Sequence, residues 1–142
     1  MSGGKAVLTG VRLLLGITLA AGGVLKAGNA FELAEAIANY RLVPAVCANA
    51  GAIVLPWVEI CTGVLLIAGL WKRASAGLAA LLFGIFTTAV GAALARGLDI
   101  SCGCFGSASA VAVGLPTLGM DAGGLAAAAI LLWKSAEGSV HP

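Results

Sequence analysis

The run ANAGAIVLPWVEICTGVLLIAGLW at residues 48–71, the Lys72-Arg73 pair behind it, and ASAGLAALLFGIFTTAVGAALA at residues 74–95 decide the fold. Each flank has the length of roughly 20 residues that an α-helix needs to cross a hydrocarbon core roughly 30 Å thick. Glu59 is the one charged residue inside either flank. Outward from this pair lie two further apolar stretches, at about residues 7–27 and about residues 111–133. Arg96-Gly97-Leu98-Asp99 opens the gap before the last of them. The pattern predicts an all-α membrane protein, a four-transmembrane-helix bundle forming a single domain over residues 1–142.

Composition points the same way. The 142 residues are 61% hydrophobic and 10% charged, with a mean hydropathy of +1.07, against roughly 25% charged in soluble domains. So few charges cannot cover a water-soluble surface, whereas a lipid bilayer removes that requirement. A net charge of +2 with singly scattered basic residues argues against a nucleic-acid partner. The first stretch follows Lys5 as a secretory signal would, but it is long, contains Arg12 and carries Lys26 near its end. It reads as a retained helix.

Residues 28–44 form the longest polar insert. Phe31, Ala34, Ile37, Ala38 and Arg41 fall at helical spacing with Glu32, Glu35 and Asn39 between them. That spacing predicts a short amphipathic helix lying in the interface between the first two membrane helices, ended by Pro44. Four crossings place both termini on one side. Lys5, Arg12, Lys72, Arg73 and Lys134 then share that side, with Lys26, Arg41 and Arg96 opposite. The excess of basic residues predicts cytoplasmic termini in a bacterial inner membrane and puts the third connection in the periplasm. Small residues at four-residue spacing, Ala76, Ala80, Gly84, Thr88 and Ala92, and again Gly119, Gly123 and Ala127, predict close helix contacts within the bundle or in a homodimer.

The third connection carries Cys102-Gly103-Cys104-Phe105-Gly106. Two thiols one residue apart close a disulfide only through a tight ring, for which Gly103 supplies the backbone freedom. Strained, exposed disulfides are labile or catalytic, and so short a ring contributes little as a structural staple. Paired thiolates also suit a soft metal such as Cu(I). Cys47 lies within reach of this connection and either exchanges electrons with it or packs. Cys61 stands 14 residues further along, about 21 Å on a continuous helix, and reads as a packing residue.

Glu59 is the ionisable residue inside a membrane helix, where such a group is costly and is read as functional or as a buried ion pair that fixes register. Pro56, Glu59 and Gly63 share one helical face, Pro56 frees the carbonyl of Ala52, and Lys26 is the expected basic partner. Trp57 beside Pro56 either packs in the core or lines a pocket for a flat ligand. Trp71 and Trp133 read as interfacial anchors. Arg96 either snorkels or offers a positive charge that favours a thiolate in the cysteine connection.

Lys26, Tyr40-Arg41-Leu42-Val43-Pro44, Leu55-Pro56-Trp57-Val58-Glu59, Arg96-Gly97 and Cys102-Gly103-Cys104-Phe105-Gly106 together resemble the DoxX/MauE family, most closely its MauE-type, methylamine-utilisation branch. The resemblance covers nearly the whole chain. It implies a four-helix membrane bundle laid out like the vitamin K epoxide reductase core. It also implies a role in disulfide formation or reduction on periplasmic proteins, alongside a thioredoxin-like partner. Carried onto this sequence, it places redox chemistry on Cys102 and Cys104 and makes Lys26 and Glu59 the intramembrane polar pair. Cys47 and Cys61 stand outside the family's pattern.

The combined expectation is a membrane thiol–disulfide oxidoreductase. Cys102 and Cys104 form its redox-active disulfide and exchange electrons with a thioredoxin-like or client protein, with a quinone near Trp57 and Glu59 as the candidate cofactor. The alternatives are a soft-metal binding or transport protein using the same two cysteines, and a non-catalytic assembly factor.

Overall fold

The computed structural model describes residues 2–98 and 114–137. Their elements are α1 (Ser2–Ala27), α2 (Ala30–Asn39), α3 (Ala45–Ala68), α4 (Lys72–Ala95) and α5 (Leu115–Glu137). All but α2 are long and apolar enough to cross a membrane; 24 residues of α3 make about 36 Å of helix. The all-α, four-span bundle with a short helix between the first two spans is therefore the architecture of the described residues.

The bundle is built from two antiparallel pairs. Gly16 meets Ile67 and Gly63, and Gly23 meets Pro56 and Ile60, so α1 runs along α3 in the opposite sense. Gly77, Gly84 and Gly91 of α4 face Leu132, Leu125 and Leu118 of α5 in the same reversed order. A shared core of Leu15, Leu19, Leu66, Ala79, Leu82 and Leu131 joins the pairs. Large apolar side chains such as Ile53, Val54, Val64, Leu81 and Ile85 point outward. Alanine and glycine line much of the interior. That distribution suits lipid, which gives large apolar groups no reason to hide and rewards close backbone packing.

The α1 and α3 backbones pack directly against each other. A Cβ on Gly63 would lie 2.6 Å from both the Ala20 nitrogen and the Gly16 carbonyl oxygen. In contrast, Gly119 and Gly123 have nothing within 4 Å. Gly119 and Gly123 of the small stripe read on the fourth span thus face outward, whereas its Ala127 packs against the core and the neighbouring Gly124 lies against the Phe83 ring of α4.

Helix boundaries depart from the apolar runs for local reasons. α3 ends at Ala68, not at residue 71, because Gly69 adopts a left-handed φ of 71°. The Leu70 N–H then bonds back to the Leu65 carbonyl at 3.1 Å, closing the helix end. Trp71 caps α4 with φ 43°, so Lys72 and Arg73 are its first turn and not a linker. At the last span, Gly114 accepts from the Leu118 N–H, Pro116 sits in the first turn where its missing donor matters little, and the helix runs to Glu137.

α2 forms between Asn29, whose side chain caps the Glu32 N–H, and Tyr40. Its buried residue is Leu33, while Phe31, expected on the apolar face, is 78% exposed. The helix docks sideways on α3, and Ile37 touches the Gly51 position. Arg41 leaves the helix with φ 53°. Pro44 does not end α2; it is the N-cap of α3.

Candidate functional site

All five helices contribute to one buried polar centre. Gly23 brings the α1 backbone against α3 at Pro56, where a Cβ would lie 2.7 Å from the Pro56 carbonyl oxygen. Three residues on from each of these, Lys26 and Glu59 meet. The Lys26 Nζ donates to Glu59 Oε1 at 2.7 Å and Oε2 at 2.9 Å. Their side chains are 3% and 1% exposed. Two of three ammonium protons are thereby used, and Nζ also sits 4.6 Å from the centroid of Phe86 on α4. A cation over an aromatic face gains further stabilisation when both are withdrawn from water.

Pro56 prepares this place. It is buried within α3 and lacks the donor that would satisfy the Ala52 carbonyl. The helix is locally weakened beside its one acid, and both face inward with Gly63.

Asp121 of α5 and Tyr40 at the end of α2 complete the centre. Asp121 is 7% exposed and lies within the electrostatic reach of Lys26. Its Oδ2 is buried without a hydrogen-bond partner among the described residues. Burial first, and the charge of Asp121 second, push the Tyr40 phenol up to about 12, so it remains a protonated donor at physiological pH. Arg96, at the end of α4, donates to the Tyr40 carbonyl at 2.9 Å and to the Arg41 carbonyl at 3.4 Å. It ties the α4 end, from which the cysteine connection departs, to the α2–α3 turn.

The structure brings together Lys26 and Glu59 and sets Arg96 at the same end of the bundle. Trp57 is 61% exposed on α3, whereas Glu59 is 1% exposed. Cys47 and Cys61 are free and exposed, and the unbroken α3 holds them apart. Trp71 and Trp133 are exposed at the ends of α4 and α5, as interfacial anchors require. Cys102 and Cys104 lie outside the described residues. Sequence spacing alone does not assign Asp121 and Tyr40 to this centre. Asp121 carries the same signal as Glu59, an acid within an apolar helix, and Tyr40 stands in the Tyr40-Arg41-Leu42-Val43-Pro44 motif.

Four membrane-length helices closed around a buried ion pair define a multi-pass integral membrane protein. The chain belongs to the MauE family: residues 4–134 match the family described as methylamine utilisation protein MauE. No curated protein and no solved structure matches it.

Proposed function

We propose that this protein is a thiol–disulfide exchange factor of the bacterial inner membrane that serves methylamine utilisation. In this reading Cys102 and Cys104 face the periplasm. Their disulfide accepts two electrons and two protons from a partner dithiol, yielding two thiols here and one disulfide in the partner, or the reverse. The partner is a thioredoxin-like protein or an exported client. A thiolate attacks one sulfur of the disulfide, the other sulfur leaves, and a second partner thiolate resolves the mixed disulfide. The observation that carries this reading is the Cys102-Gly103-Cys104 spacing in a chain of the MauE family. Arg96, six residues before Cys102 in sequence, anchors the root of this connection to the α2–α3 turn.

Within this scheme the Lys26–Glu59 pair fixes the register of α1 on α3, and Asp121 with Tyr40 supplies a buried acid and a protonated phenol near that pair. The DoxX likeness belongs with this reading.

The test is trapping. Cys102→Ser and Cys104→Ser single variants, each with one thiol left in the pair, incubated in membranes with a partner in its disulfide form, should leave one of the two locked as a mixed disulfide on a non-reducing gel, the remaining thiolate attacking the partner disulfide and one partner thiol being released. No trapped species with either variant defeats the proposal. Stoichiometric Cu(I) binding by the reduced pair, without exchange, would favour a soft-metal role instead. Labelling of Cys104 by an impermeant maleimide from outside intact cells tests the orientation; labelling only after lysis contradicts it.

A further inference from the structure

At the bundle end opposite the α2–α3 turn, the antiparallel packing gathers Lys5 and Arg12 of α1, Lys72 and Arg73 of α4, and Lys134 of α5 around one cavity of about 1130 Å³. No acid lines it among the described residues. Glu137 pairs with Lys134 at 3.2 Å, but both side chains are more than half exposed, where such a pair neutralises little. Five positive charges therefore converge on one open space.

Two details show that this is more than a basic rim. Arg12 is half-buried against the α3–α4 turn; a Cβ on Gly69 would lie 2.9 Å from its Nη1. Its Nε is buried with no hydrogen-bond partner among the described residues. A guanidinium held in place with an unused donor is set up for an oxyanion, which it receives bidentately. The N-terminus of α4 opens on the same space without a side-chain cap, and the first backbone N–H groups of a 24-residue helix favour negative charge. Trp71, 78% exposed, and the apolar Leu8 and Leu131 border the cavity, so an occupant can keep apolar chains in the lipid while its head enters.

We infer that this cavity is a binding site for a phosphate group, whose multiple oxygens match the Arg12 fork, the lysines and the α4 N-terminus together. The phosphate can arrive on an anionic phospholipid or as a free anion. Basic pockets between membrane helices hold phospholipid head groups in this way.

The test uses the full chain purified in neutral detergent, with thermal stability and native mass spectrometry as readouts. The probes are phosphatidylglycerol, cardiolipin, phosphatidylcholine, oleate, inorganic phosphate and pyrophosphate. Phosphatidylglycerol or cardiolipin should bind at least tenfold more tightly than oleate. Arg12→Gln, and separately Lys72→Gln/Arg73→Gln on the exposed rim, should weaken that binding at least fivefold, and Arg41→Gln at the other end should leave it unchanged. Saturation by pyrophosphate with no preference for lipid assigns the site to a free anion. Equal binding of oleate and phosphatidylglycerol, or no effect of either cavity variant, overturns the inference. The rim variant keeps the test decisive if Arg12→Gln fails to fold.

Discussion

Lys26 and Glu59 lie 33 residues apart in sequence, yet both carboxylate oxygens of Glu59 accept from the Lys26 ammonium within 2.9 Å. The pair is sealed between α1, α3 and α4, because Gly23 lets the first two helices touch one turn away. Removing either partner strands a charge in a low-dielectric interior, a loss of about 3–5 kcal/mol. Lys26→Met and Glu59→Met should each destabilise the detergent-solubilised protein by that order. The double variant Lys26→Met/Glu59→Met should recover most of the loss, since no charge is left unpaired. Chemical unfolding of the four proteins measures the coupling. Additive losses would mean that the two groups do not act as a pair.

The α1–α3 contact should be intolerant of a single methyl. Gly63→Ala places a Cβ 2.6 Å from backbone atoms of Gly16 and Ala20, which only a shift of one helix relieves. A loss of about 1–3 kcal/mol is expected for such overpacking. Gly119→Ala, with nothing within 4 Å, should leave the melting temperature unchanged or raise it slightly through helix propensity. Equal effects of the two variants would contradict the packing.

Tyr40 is the sole tyrosine of the chain, so phenolate absorbance near 295 nm reports on it alone. The folded protein should titrate at about 12, against roughly 10 for the unfolded chain. Because the folded value is the higher, the protonated phenol favours the folded state. Its contribution is complete below pH of roughly 10 and is lost as pH rises to about 12. Tyr40→Phe should remove that alkaline decline. Asp121→Asn should lower the folded midpoint only in part, since burial is the larger cause.

Arg96 should act as a tether. Without its bonds to the Tyr40 and Arg41 carbonyls, the α2–α3 turn loses charge-assisted contacts worth about 1.5–3 kcal/mol each at most. Arg96→Ala should therefore speed tryptic cleavage after Arg41 by at least fivefold, while sites at the other end, such as Lys72, keep their rates. Unchanged cleavage at Arg41 would remove the tether from the account.

Much of this arrangement is written in the sequence, though unevenly. The four spans are legible because an apolar run of membrane length has few other readings, and Lys26 with Glu59 because each is ionisable within such a run. The helix ends are less so: Gly69 stops α3 inside an apolar stretch, and hydropathy does not see a left-handed turn. Which side of α2 docks on α3 is not legible, because Phe31 and Leu33 both interrupt its polar pattern and Leu33 is the one that is buried. Among 21 glycines, no periodicity separates Gly16, Gly23 and Gly63, which touch a neighbour, from Gly119 and Gly123, which do not. Asp121 sits close enough to the cysteine connection in sequence to be read with it, and only the packing of α5 turns it toward Lys26.

In the proposed function Cys102 and Cys104 form a reversible redox couple. The most direct measurement equilibrates a Cys47→Ser/Cys61→Ser protein, retaining only the other two thiols, in a graded series of thiol–disulfide buffers, and counts alkylated cysteines by intact mass. A single two-electron transition is expected, in which both thiols become protected together and are released together on reduction. Two thiols alkylated in every buffer would contradict it.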